Sequence, residues 1–242
     1  MKRALLLGAL IALAPCSHAL AAPSTEVAAA VASVQTADVI RTTLALTLLA
    51  ILPGVVICMT PFIRIVIVLS MIRHAFGMPE TPPSAVLVSL SLLLTAFIMG
   101  PSLKTMNEQA LQPFMAGRVD VETALAEGSA PLRTFMLRQV TDANLQTVHQ
   151  IAGKPLPDSA DQVGMAELTT AFMLHELGVA FRIGFVVLLP FLLIDLVVSG
   201  LLLSLGMMMV PPTSISLPIK VLMFVLIDGW SLVLEGVIGG FR

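Results

Sequence analysis

Four apolar blocks dominate the chain, separated by polar stretches of unequal length. Leu44 to Ile63 carries no charged residue over 20 positions, and Ser84 to Leu103 does the same. As a helix rising about 1.5 Å per residue, each covers about 30 Å of hydrocarbon. Ile183 to Leu205 forms a third block, interrupted by Asp195; Val221 to Ile238 forms a fourth, interrupted by Asp228 and Glu235. The one long polar region, Lys104 to Thr170, holds five basic and eight acidic residues. Pro131, Gly153, Pro155, Pro157 and Gly164 punctuate it, which predicts a small helical extramembrane region with an irregular loop over Gly153 to Asp161. Pro53, Pro61, Pro101, Pro190, Pro211, Pro212 and Pro218 are expected to break or end the apolar blocks. Proline removes a backbone hydrogen bond, and freed carbonyls are costly in lipid. Arg64, Arg182, Asp195, Lys220, Asp228 and Glu235 add charge within or beside the blocks. An ionised residue at the centre of a membrane helix costs about 2.5–3.5 kcal/mol. Broken apolar helices with buried charges therefore predict helices that face other protein in a packed oligomer, or a water-lined path.

The first residues have a different pattern. Lys2 and Arg3 precede an apolar run from Ala4 to Ala14, and Ala19-Leu20-Ala21 fits the small-x-small cleavage rule. This predicts a signal peptide over residues 1–21, cleaved after Ala21. The alternative is a first membrane helix that stays attached, for which the apolar run is short. An Ala/Ser/Thr-rich stretch from Ala22 to Thr36 predicts a linker. The organisation that follows is a signal (1–21), a linker (22–43), a first apolar hairpin (44–103), a polar periplasmic helical region (104–175) and a second apolar hairpin (176–242). The mature N-terminus is expected outside. A short inner turn would carry Arg64 and Arg73, the acidic region would lie outside, and Lys220 would face inward again.

Composition agrees with a membrane class. Of 242 residues, 57% are hydrophobic and 12% charged, against about 25% charged in a soluble domain; the mean hydropathy is +0.98. The formal net charge is −2 and no basic stripe occurs, so no nucleic-acid partner is expected. No enzyme signature is present. His175-Glu176 is followed by Leu177-Gly178-Val179, which fails the zinc-protease spacing. His74, His149 and His175 read as solvated or interfacial polar residues. If Cys16 leaves with the signal, Cys58 remains alone, so neither an internal disulfide nor a cysteine metal cluster is expected. No cofactor and no metal are expected.

The stretch "SLGMMMVPP", Ser204 to Pro212, joins the last two blocks. Gly206 permits an unusual backbone there, and Pro211-Pro212 keeps a helix from running on. Met207, Met208 and Met209 therefore fall on a loop with Gly206, Pro211 and Pro212 as its hinge. Methionine is unbranched and adaptable, so several copies meeting on an axis could seal a hole yet yield to varied shapes. Asp195 and Lys220 flank this turn. A hairpin could bring them together, within one subunit or between neighbours; otherwise each snorkels to an interface. Gly236 and Gly240 have the small-xxx-small spacing of close helix contact.

Three segments carry a resemblance: "MTPFIRIVIVLSMIRHAFG" (Met59 to Gly77), "LLLTAFIMGP" (Leu92 to Pro101) and "ELGVAFRIGFVVLLPFLLIDLVVSGLLLSLGMMMVPPTSISLPIKVLMFVLIDGW" (Glu176 to Trp230). Together they resemble the FliP family of the flagellar type III export gate, over roughly Leu44 to the end of the chain. The resemblance implies an all-α membrane protein of bent helical hairpins. It implies about five copies in a helical ring with FliQ and FliR, with FlhB and FlhA nearby. The ring would form the inner-membrane export channel at the flagellar basal body, lie partly on the periplasmic side, and pass unfolded rod, hook and filament proteins. It also implies a methionine gasket at Met207, Met208 and Met209, and charge pairs among Arg64, Glu176, Asp195, Lys220 and Asp228, within hairpins or between subunits. Gly178 stands where many members carry lysine, and Pro61 and Ile63 replace hydroxyl residues often seen around Phe62. The competing readings are an injectisome export-gate subunit, a stand-alone small-solute transporter and an intramembrane hydrolase.

Overall fold

A computed structural model describes Thr43, Leu46, Thr47, Ala50 and Ile51, then residues 53–78, 80–155, Pro157, Ser159 and 162–241. The expected signal peptide and nearly all of the linker lie outside the described residues. The chain divides into two units, Met1–Ala50 and Ile51–Arg242. In the first, the described positions are helical, and the Thr47 hydroxyl donates to the Thr43 carbonyl at 2.8 Å. All other structural statements concern the second unit.

Every regular element among the described residues is helical, so the chain is an all-α membrane protein. Helix α1 (Pro53–Met59) meets α2 (Phe62–Ala75) at 78°. The bend falls at Thr60-Pro61, where proline has no N–H to continue the ladder; the Thr60 hydroxyl turns back to the Val56 carbonyl. Helix α3 (Ser84–Ile98) meets the helical run Gly100–Met115 at 66°. That run comprises α4 (Gly100–Met106), a π-turn (Asn107–Leu111) and α5 (Gln112–Met115). Pro101 sits in the first turn of α4, where its missing donor costs nothing.

Helices α6 (Val121–Gln139) and α7 (Asp142–Ile151) make up the polar region. Asp120 caps α6 by accepting from the Thr123 N–H, and hydrogen bonding from the Thr123 side chain and then from that N–H holds its carboxyl below the usual range. Helix α8 (Met165–Ser204) runs for 40 residues, about 60 Å at 1.5 Å per residue. Helix α9 (Pro212–Leu226) meets the run of α10 (Gly229–Ile238) and a closing 3-10 turn (Gly239–Phe241) at 67°. Among the described residues α8 is the one single helix long and apolar enough to cross a membrane, and the three bent pairs can each do so as broken spans.

The main core gathers one face of α2 (Ile65, Val68, Leu69, Ile72, Ala75) against Leu87 of α3, Ala180 and Phe191 of α8, Phe224 of α9, and Val233 and Val237 of α10. Those α2 positions follow the 3–4 residue spacing of a helix face. Phe76 meets Phe191 and Phe224 edge-on, with centroids 5.2 Å apart in both cases. A second, smaller core joins Met136, Val163, Leu168 and Phe172 at the base of α8.

The structure corrects two sequence expectations. Arg64 does not lie on a short inner turn; it belongs to the first turn of α2 and is buried. Pro190 and Pro218 end no helix, since α8 and α9 run through both. Helix α8 begins at Met165 and runs unbroken through positions 175 and 176. At Pro190 and Pro218 a continuous helix stands where proline argued for a break.

Candidate functional site

The loop after α8 is built by backbone bonding. The Gly206 N–H donates to the Leu203 carbonyl at 3.1 Å and the Met207 N–H to the Leu202 carbonyl at 2.9 Å. These two bonds are the paired closure of a Schellman motif, and it needs a left-handed residue between helix and loop. Gly206 supplies it at φ +72°. Pro211 then stands at the N-cap of α9 with extended backbone, and Pro212 opens the helix. Met207, Met208 and Met209 are thus held off both helices, with 44%, 81% and 97% of their surfaces exposed.

Beneath this loop a cation ties three elements together. Lys220 of α9 donates to Asp195 Oδ2 of α8 at 2.6 Å and to the Ala75 carbonyl at 2.9 Å. Ala75 is the last residue of α2, and its carbonyl has no partner inside that helix. Nζ therefore neutralises a carboxylate and sits at the negative end of the α2 dipole at once. The lysine is buried while the aspartate is about one-third exposed. Asp195 lies nine residues before the end of α8, so the clamp sits about 13 Å below the loop. The pair forms within one chain, across the α8–α9 hairpin.

A second ion pair joins α2 to α8. The Arg64 guanidinium donates to Glu176, with side-chain exposures of 1% and 0%. Arg64 Nε and Glu176 Oε2 have no hydrogen-bond partner. Two charges taken out of water are repaid only when geometry and further hydrogen bonds are good. The pair bridges the first turn of α2 to the middle of α8, and its burial alone is weak evidence of added stability.

Asp228 takes a different place from the other charged candidates. It occupies the α9–α10 bend in a left-handed conformation, φ +49°, and is exposed. No ion pair among the described residues includes it. Short polar side chains tolerate the left-handed region better than most.

Two participants escaped sequence reasoning. The Ala75 carbonyl carries no side-chain signature, and only the end of α2 makes it an acceptor. Phe241 covers the Arg64 guanidinium at 3.8 Å from its ring centre, a contact between residues far apart in sequence that no spacing rule reveals. The three histidines take no part in these clamps: His149 is buried against the Leu145 carbonyl, and His175 bonds Asn144 between α8 and α7. Among the described residues no group of three His, Cys, Asp or Glu side chains could hold a metal ion.

The FliP family model matches residues 45–237. The chain is 45% identical over 202 residues to the flagellar biosynthetic protein FliP of Pectobacterium carotovorum subsp. carotovorum, covering 84% of this chain and 78% of that relative. It is 40% identical over 202 residues to the flagellar biosynthetic protein FliP of Bacillus subtilis, covering 84% of this chain and 91% of the relative. The like-named protein of Buchnera aphidicola subsp. Baizongia pistaciae is 43% identical over 202 residues, which make up 56% of its length. The matched stretch contains both ion pairs, the Gly206 closure and the methionine loop, and on this evidence the chain belongs to the FliP family.

Proposed function

We propose that this chain is a pore-forming subunit of the flagellar type III protein export gate in the cell inner membrane. About five copies form a helical ring with FliQ and FliR, with FlhB and FlhA nearby, and unfolded rod, hook and filament proteins pass through it. Residues 44–103 and 176–242 act as the two hairpins of the wall, and the polar region 104–175 faces the periplasm. The chain supplies a passage and performs no catalysis of its own; energy comes from partner subunits.

The observation that carries this reading is the methionine loop. Three adjacent unbranched side chains stand off both flanking helices, with Met209 almost wholly exposed. Apolar side chains so placed gain little inside one chain and much when copies meet on an axis. Their flexibility lets the seal follow the shape of a passing polypeptide. The Lys220 clamp keeps the two stems together while the loop deforms.

Replacing Met207, Met208 and Met209 together with alanine should leave the ring assembled but leaky to ions and small molecules. Permeability of vesicles carrying the assembled complex reads this directly. An assembled triple variant that stays as tight as wild type overturns the gasket.

A further inference from the structure

We propose that Phe241 is a positioning residue for the buried Arg64–Glu176 pair: its π face holds the guanidinium in place of lost water. The Arg64 Cζ lies 3.8 Å from the centre of the Phe241 ring. The ring is itself held, stacked on Phe135 with centroids 6.1 Å apart and planes 21° apart. Phe135 in turn meets Phe172 of α8 edge-on at 5.9 Å. Thus α6, α8 and the Gly239–Phe241 turn converge on the first turn of α2.

The pair needs such help. A guanidinium presents five donors and accepts nothing. Here one nitrogen bonds Glu176, Nε has no partner, and the second carboxylate oxygen has none either. An aromatic face offers a buried cation its negative quadrupole, and the attraction grows as water is removed. The backbone leading to the ring is also fitted to the cation. A Cβ on Gly240 would stand 2.8 Å from an Arg64 terminal nitrogen, closer than real contacts allow. Glycine there lets the turn run against the guanidinium so that the next residue covers it.

This inference stands whether or not the chain works in an export gate, and its test uses the purified full-length chain in detergent. The measurement is the thermal midpoint in a double-mutant cycle. Phe241→Leu keeps an apolar side chain but removes the π face, and should lower the midpoint by roughly 2–4 °C. In the Arg64→Met/Glu176→Leu background, which has no cation to cover, the same change should have far less effect. Phe241→Trp should keep the wild-type midpoint. Equal losses from Phe241→Leu in both backgrounds mean ordinary packing and overturn the proposal. If the background variant does not fold, graded fluorination of Phe241 decides the matter. It drains the ring's negative face at nearly constant shape, so the midpoint should fall stepwise with fluorine number. A flat series overturns the proposal equally.

Discussion

At the scale of single residues, the two buried cations do different work. Arg64 meets one carboxylate in a site almost closed to solvent. Removing one partner of such a pair strands the other, typically at a cost of 3–5 kcal/mol, roughly. Arg64→Ala should therefore sharply lower the yield and thermal midpoint of the detergent-solubilised protein. Arg64→Met/Glu176→Leu should recover most of that loss, because a matched apolar pair leaves no stranded charge. A double variant as unstable as the single one would show that the site needs charge for its geometry. Lys220 is harder to replace, because it serves a carboxylate and a helix end together. Asp195→Lys should impair assembly or motility. The exchange Asp195→Lys/Lys220→Asp should restore it only in part, since an aspartate at position 220 would face the α2 carbonyls it cannot bond. Full restoration in a swimming assay would mean that the Ala75 contact is dispensable.

At the scale of elements, the breaks matter as much as the helices. Three bends of 66–78° turn apolar runs into elbows. Each has a local cause: Pro61 at the first, Met99 before Gly100-Pro101 at the second, and left-handed Asp228 at the third. The end of α8 is a fourth such device. Gly206 adopts a conformation that costs an L-residue roughly 1–2 kcal/mol, and β-branched side chains tolerate it least. Gly206→Val should weaken the Schellman closure and raise protease sensitivity between Leu205 and Val210, while the Lys220–Asp195 clamp keeps the stems paired. Limited proteolysis of the purified protein checks both halves of that statement. Prolines inside α8 and α9 teach the opposite lesson. Pro190 is exposed, but Leu188 and Phe191 beside it pack in the main core, and the helix continues through the proline despite one missing hydrogen bond.

At the scale of the molecule, α8 sets the frame. At about 60 Å it is twice the thickness of a hydrocarbon layer. Its lower part packs on α6 and α7 and its upper part carries the membrane-type sequence. Only 17% of its apolar window is buried within the chain, and Phe181, Phe185, Leu189, Leu193 and Leu196 stay exposed. A surface of that kind demands lipid or protein cover. If the cover is a ring of like subunits, gentle detergent extraction followed by native mass measurement should find several copies of this chain in one complex. A purified monomer that transports a small solute unaided would overturn the ring.

Much of this architecture is legible in the sequence. Composition and block length specify an all-helical membrane protein, because an apolar stretch of about 20 residues crosses lipid as a helix that satisfies its own backbone. Gly206 and Pro211-Pro212 place the methionines on a loop, because their φ limits act locally whatever the surroundings. Tertiary structure decided the rest. Whether Asp195 met Lys220 or snorkelled depended on the α8–α9 hairpin, and whether Pro190 ended a helix depended on the packing around it. Arg64, expected on a turn, lies in α2 between Glu176 and Phe241, residues 112 and 177 positions away. Charge in apolar sequence announces that a partner is required, but the identity of that partner is set by which distant elements the core brings together.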